Sequence, residues 1–209
     1  MPALESRLLI VTDRHQTKGR PLLSLFHEVA AAGSPAIQLR ERDLPLRALL
    51  ALARELHQQL GAKVGPLLIN DRIDVALSLE GAGVHLRSDS LPLSAARRLL
   101  GSQRLLGISA HSVEEVERAA GEGADYVVLG PIFDTPSKQA YGPPLGLATV
   151  EAASRRAKIP ILGIGGITAA RARDVRGAGA FGVAVIAAVL SASDVAAATR
   201  ALMAAVESP

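Results

Sequence analysis

Apolar runs of about four residues recur along the chain, and each is followed by a longer segment carrying apolar residues at helical spacing. The short runs are Leu8–Val11, Ala36–Leu39, Leu67–Ile69, Gly83–Leu86, Leu105–Ile108, Tyr126–Leu129, Pro160–Ile164 and Phe181–Val185. Between and after them the periodicity predicts helices over Pro21–Ala32, Pro45–Leu60, Ile73–Leu79, Leu93–Leu100, a segment opened by Ser112, Leu147–Ala157, a segment from Thr168 to Arg176, and Asp194–Val206. Ser112 with Glu115 three residues on has the form of a capping box. The strands are almost continuously apolar, as parallel strands covered on both faces must be. Eight strand–helix units in 209 residues predict one closed (β/α)8 TIM barrel over residues 1–209. A doubly wound sheet would want uneven spacing and an early Gly-rich nucleotide turn, and the chain has neither.

Composition narrows the chemistry. Hydrophobic residues make up 49% and charged residues 21%, which suits a folded globule. The chain has no cysteine, so neither disulfides nor thiol catalysis enter. Nothing at the start resembles a signal peptide and no apolar run approaches membrane-spanning length, so a soluble, cytoplasmic protein without a membrane partner is expected. Two Tyr, three Phe and no Trp leave almost nothing to stack bases, so nucleic acid is not an expected partner. The net charge of +3 is compatible with small phosphorylated molecules, and a homo-oligomer is compatible with the sequence.

A barrel of this kind builds its site at the C-terminal ends of its strands. Those positions are strongly polar here. The second strand ends in Gln38-Leu39-Arg40-Glu41-Arg42, where alternation sends Gln38, Arg40 and Arg42 to one face, either as a structural ion-pair set or as a phosphate clamp. The third ends in Asn70-Asp71, which reads as a helix cap or as a metal-binding carboxylate. Asp89 follows the fourth, as a turn residue or a second carboxylate for Mg2+, and His85 within that strand reads as packed. Ser109 and His111 follow the fifth. The sixth empties into Gly130-Pro131-Ile132-Phe133-Asp134-Thr135-Pro136-Ser137-Lys138, whose two hydroxyls and ammonium suit phosphate oxygens. Gly165-Gly166 before Thr168 would let backbone N–H groups approach an anion, and Ile186-Ala187 end the eighth strand.

Gln38-Leu39-Arg40-Glu41, Leu68-Ile69-Asn70-Asp71, Gly83-Val84-His85-Leu86, Gly107-Ile108-Ser109-Ala110-His111, the Gly130–Lys138 segment and Gly163-Ile164-Gly165-Gly166-Ile167 resemble, in order and spacing, the thiamine phosphate synthase and thiazole tautomerase superfamily. The resemblance implies a transferase of thiamine biosynthesis that condenses hydroxymethylpyrimidine diphosphate with thiazole phosphate. It implies Mg2+ as cofactor, held by Asp71 with Asp89 as a second carboxylate, and Lys138, Ser109 and Arg40 as catalytic residues. Gln38, Arg40, Arg42, Asn70, Ser109 and Lys138 would hold the pyrimidine diphosphate. Thr135, Ser137, Gly165, Gly166, Ile186 and Ala187 would hold the thiazole phosphate. Three positions depart from the family pattern: Arg42 stands for a usual Lys, Ser90 for the second metal carboxylate, and Ala187 for a frequent hydroxyl. The alternatives are a tautomerase, an isomerase of a thiazole carboxylate phosphate, and a phosphate-binding barrel without turnover. Against the tautomerase, Pro131 stands where one such type carries its catalytic His.

Overall fold

The structure is a computed structural model that describes residues 3–135 and 143–207. Eight four- or five-residue strands, β1 (Leu8–Val11), β2 (Ala36–Leu39), β3 (Leu67–Asn70), β4 (Gly83–Leu86), β5 (Leu106–Ala110), β6 (Tyr126–Leu129), β7 (Ile161–Ile164) and β8 (Gly182–Val185), pair in parallel with their sequence neighbours. β8 closes on β1, so the barrel has no edge strand. Helices α1 (Leu22–Ala32), α2 (Leu46–Leu60), α3 (Ile73–Leu77), α4 (Leu93–Leu100), α5 (Val113–Gly121), α6 (Gly146–Arg156), α7 (Ala169–Gly177) and α9 (Val195–Glu207) alternate with them. A short extra helix, α8 (Ala187–Leu190), starts immediately beyond β8. This is the predicted (β/α)8 barrel.

Strand alternation separates two cores. Leu9, Val11, Ala36, Leu68, Tyr126, Val128, Leu162 and Ala184 fill the barrel interior, while Leu8, Ile10, Ile37, Ile69, Val84 and Val127 pack outward against the helices. Each step of two along a strand therefore stays on the interior side, and the residues just above the last apolar layer become the floor and wall of whatever opens at the C-terminal end.

Boundaries shift where hydrogen bonding decides. β5 continues past Ile108, because Ser109 and Ala110 pair with Val128 and Leu129 of β6. Pro160 stays outside β7, and its carbonyl accepts the Val127 N–H at 2.9 Å. α3 stops at Leu77, two residues short of the apolar run. Ser112 and Thr168 cap α5 and α7 as expected, accepting the N–H groups of Glu115 at 3.2 Å and Arg171 at 3.3 Å. Glu115 in turn accepts the His111 N–H at 2.7 Å, one residue earlier than a capping box requires. At the N-terminal end of the barrel, buried Asp125 accepts from Arg97 at 2.6 Å and from the Leu106 N–H at 2.7 Å. That end is built for stability, which leaves the opposite end for chemistry.

Candidate active site

A cavity of about 370 Å³ opens at the C-terminal end of the barrel. Its wall follows the interior parity of the strands: Val11, Gln38 and Arg40, Asn70, His85 and Arg87, Ser109 and His111, Val128 and Gly130, Ile164 and Gly166, Ala184 and Ile186. Arg42, Thr135, Gly165 and Ala187 complete the contribution of the sequence-predicted residues. Ser137 and Lys138 lie outside the described residues.

On the β2–β5 side the polar side chains hold one another. Thr12, buried at the end of β1, accepts the Arg40 N–H at 2.8 Å and so fixes the strand end that carries both guanidiniums. The Gln38 amide donates to Asn70 Oδ1 at 2.9 Å, and Asn70 Nδ2 donates to Asp71 Oδ2 at 3.1 Å. Glu41, the out-of-phase residue between Arg40 and Arg42, is buried and accepts from the Arg14 backbone and guanidinium, each at 3.2 Å. Arg14 also grips Asp43 through two bonds of 2.5 and 2.6 Å, tying the loop after β1 to the loop after β2.

Beneath this side runs a buried relay. His85 of β4, Gly107 of β5 and Tyr126 of β6 are successive register neighbours. A Cβ on Gly107 would lie 2.0 Å from the Tyr126 ring, so only glycine there lets the phenol reach His85. The Tyr126 hydroxyl sits 2.9 Å from His85 Nδ1, and His85 Nε2 sits 3.0 Å from Ser109 Oγ. Burial pushes the imidazole down to about 3, with Asp71 opposing and Arg40 reinforcing the shift, so the ring is neutral. Burial likewise holds the phenol protonated. Among the described residues His85 is the phenol's one hydrogen-bond partner. The tautomer that leaves no buried donor unmet therefore has Tyr126 donating to Nδ1 and Nε2–H donating to Ser109. Ser109 is left with its own hydrogen to offer to a ligand acceptor. His85 is thus packed, as expected, and on the cavity floor as well. Tyr126 was not a candidate from sequence, because the register that brings it to His85 is not written in either residue's local pattern.

The carboxylates behave differently from expectation. Asp71 follows Asn70 by one residue and so has the wrong parity for the interior; it turns out of the strand with φ +58° and does not line the cavity. Its Oδ1 accepts the Arg87 N–H at 2.9 Å, and its Oδ2 accepts Arg87 Nε at 2.5 Å as well as Asn70 Nδ2. Partial burial pushes this carboxyl up, but the Arg87 backbone and guanidinium and Ser90 outweigh it and hold it below the usual range. Three hydrogen bonds, two of them from Arg87, commit this carboxylate to a guanidinium, whose charge disfavours a metal ion beside it. Asp89 has its side chain 71% exposed in the turn beyond β4, 3.4 Å from Arg87, and is off the cavity wall. Among the described residues no three His, Cys, Asp or Glu side chains are grouped to hold a metal. The donor set as arranged does not fit a resident Mg2+. The residue at this corner that does line the cavity is Arg87, which the same alternation that selects Gln38 and Arg40 would have found two positions after His85.

The β6–β8 side is built from backbone. Gly165 (φ +101°) and Gly166 (φ +64°) carry the chain under the loop after β6. The Ile132 N–H donates to the Ile164 carbonyl at 2.8 Å and the Phe133 N–H to the Gly165 carbonyl at 3.2 Å. A Cβ on Gly166 would meet the Asp134 carbonyl oxygen at 2.7 Å. Arg171 of α7 donates to the Gly166 carbonyl at 2.7 Å and stacks over Phe133, 4.7 Å from its centroid, bracing the turn from outside. Opposite, Ile186, Ala187 and Ala188 bring the first turn of α8 to the cavity wall, and amides of a first turn have no partner within their own helix.

Comparison with known proteins agrees with this architecture. The family model described as thiamine monophosphate synthase matches residues 8–189. The thiamine-phosphate synthase of Roseiflexus castenholzii is 46% identical over 96% of this chain and 88% of its own length. That of Moorella thermoacetica is 45% identical over 93% of both chains. Among solved structures, thiamine phosphate pyrophosphorylase from Pyrococcus furiosus superposes with a TM-score of 0.87 at 33% identity, covering 96% of this chain and 95% of that one. 3-Hexulose-6-phosphate synthase shares the fold at 19% identity, with a TM-score of 0.71 over 95% of this chain and 99% of that one. The chain belongs to the thiamine monophosphate synthase family.

Proposed function

We propose that the protein is a thiamine phosphate synthase, a transferase joining hydroxymethylpyrimidine diphosphate to thiazole phosphate with release of pyrophosphate. One observation carries the reading: a single cavity meets anions by guanidiniums at the end of β2 and by glycine backbone and α8 on the far side, which suits two phosphorylated substrates held face to face. The family and the synthase names of its relatives support it. The synthase names of its relatives do not favour the tautomerase alternative.

In this reading the bond between the pyrimidine methylene carbon and the diphosphate oxygen breaks, and its electron pair leaves with pyrophosphate. The ring nitrogen of the thiazole phosphate then gives its lone pair to that carbon. The demand on the protein is to neutralise the leaving group and to keep the cationic carbon from water. Arg40 and Arg42 supply positive charge, and Gln38 and Asn70, each fixed by the other, orient the pyrimidine. Ser109, with its hydrogen freed by the relay beneath it, donates to a ring acceptor. Val11, Val128, Ile164 and Ala184 make the apolar lining that limits water. Thr135, Gly165, Gly166, Ile186 and Ala187 hold the thiazole phosphate together with Ser137, while Lys138 of the same loop serves the leaving pyrophosphate. Mg2+ would arrive with the diphosphate and supply counter-charge to it, without a resident site on the protein.

The test is direct. Purified protein given both phosphorylated precursors with Mg2+ is expected to release pyrophosphate and form thiamine phosphate in equal amounts. Absence of both products, with isomerisation of the thiazole carboxylate phosphate instead, overturns the reading.

A further inference from the structure

We propose that Arg87 is a resident cation of the diphosphate corner, standing where the resemblance places a metal ion carried by two carboxylates. The inference rests on the proposed diphosphate substrate, but its grounds are independent of the reaction.

The first is position. Interior parity along β4 runs Gly83, His85, Arg87, so the Arg87 side chain joins the cavity wall while Asp71, out of phase, sits behind it. The second is how the guanidinium is held. Arg87 Nε lies 2.5 Å from Asp71 Oδ2 and the Arg87 backbone N–H lies 2.9 Å from Oδ1, so one carboxylate anchors the residue at two points. Nη1 makes only long approaches of 3.4 Å to exposed Asp89, and among the described residues no hydrogen bond is made by Nη2. The anchored edge of the fork is therefore spent, and the outer edge is available to a ligand.

The third ground is charge. Arg40, Arg42 and Arg87 all line the cavity, and among the described residues no Asp or Glu does. Asp71 is ionised behind the wall, and buried Glu41 is occupied by Arg14. A cavity with three guanidiniums and no carboxylate attracts a multiply charged anion and repels a free divalent cation. Asp71 is then a positioning residue for Arg87. The nearby Ser90 side chain favours the ionised Asp71, where a carboxylate in its place would repel Asp71 and draw Arg87 aside.

Two titrations on the purified full chain test this without turnover. Inorganic pyrophosphate, titrated calorimetrically in excess EDTA, is expected to bind the wild type. It should bind Arg87→Gln at least tenfold more weakly, with Arg87→Lys between them, because lysine keeps the charge and loses the fork. Mn2+, titrated without any phosphate and followed by its EPR signal, is expected to bind the wild type weakly. The double variant Arg87→Gly, Ser90→Asp should bind it at least tenfold more tightly, since Asp71 is freed and given a partner. Equal pyrophosphate binding by wild type and Arg87→Gln overturns the proposal. So does wild-type Mn2+ binding as tight as that of the double variant; if the double variant fails to fold, the pyrophosphate comparison decides alone. Loss of pyrophosphate binding in Arg87→Gln from a protein that forms no thiamine phosphate would uphold Arg87 and overturn the reaction.

Discussion

The β2–β5 wall of the cavity is a set of side chains that hold one another, whereas the β6–β8 wall is backbone held in place by loops and helices outside it. On the first side Gln38, Asn70, Asp71 and Arg87 form one hydrogen-bonded chain, and Tyr126, His85 and Ser109 form another. On the second, Gly165, Gly166 and the start of α8 present little beyond peptide groups. The difference follows from what each half must recognise. A pyrimidine needs donors and acceptors of fixed sense, and a relay can set that sense. A phosphate accepts hydrogen bonds from any direction, so close backbone approach is enough. The two sides should therefore fail separately and in different ways.

The strongest way to separate them is Gly166→Ala. The residue sits at φ +64°, where a Cβ costs about 1–2 kcal/mol. The new Cβ would also meet the Asp134 carbonyl at 2.7 Å, and a backbone oxygen yields less readily than a side-chain tip. The β6 loop and the phosphate cup would both move. We expect kcat/KM for the thiazole phosphate to fall about a hundredfold, or ~2.7 kcal/mol. Pyrophosphate binding in EDTA should change by less than threefold, since Arg40, Arg42 and Arg87 stand on the other wall. Equal losses on both measurements would break the comparison and make the cavity one mechanical unit.

The second prediction concerns the relay. His85 has its folded pKa depressed to about 3 from an ordinary 6.5, so protons favour the unfolded chain. Its contribution is fully present above pH 6.5 and is lost as pH falls through 6.5 toward 3, at about 1.4 kcal/mol per pH unit. Between pH 7 and 5 the wild type should lose about 2 kcal/mol more than His85→Gln, measured by urea unfolding at each pH. Parallel curves would mean that the imidazole takes a proton in the folded state, and with it would go the assignment of Ser109 as a donor. The backbone side holds no buried histidine among its lining residues and should add nothing to this slope.

The same contrast explains what could be read from the chain alone. The barrel was legible because eight apolar runs and their intervening helical periods are local patterns. Gln38, Arg40, Asn70, Ser109 and Gly166 were legible because strand alternation plus the rule that barrels work at their C-terminal ends is sufficient. Arg87 obeys that rule too, but two nearby carboxylates suggested a metal and drew attention from it. Asp71 shows why: the Asn70-Asp71 pair names the chemistry of two residues, while parity sends only the first inward. The Tyr126–His85 contact was out of reach, since it depends on inter-strand register and on the space left by Gly107. Short α8 was missed because four residues carry no periodicity.

The smallest expected effect asks whether the backbone wall can be improved by giving it a side chain. Ala187 is exposed on the cavity wall at the first position of α8. Serine there adds one hydroxyl without a change of backbone class, and a hydrogen bond to a charged group contributes about 1.5–3 kcal/mol at best. Ordering the side chain and stripping its water offset much of that, because the peptide groups already serve the phosphate. We expect Ala187→Ser to lower KM for the thiazole phosphate about threefold, with kcat and the pyrimidine diphosphate KM unchanged, as steady-state kinetics with each substrate varied would show. A KM that rises instead would mean that the phosphate is packed against the Ala187 methyl, and that steric closeness, more than hydrogen-bond number, defines this side. A fall in both substrates' KM values would mean that the two walls are coupled through the ligands they hold together.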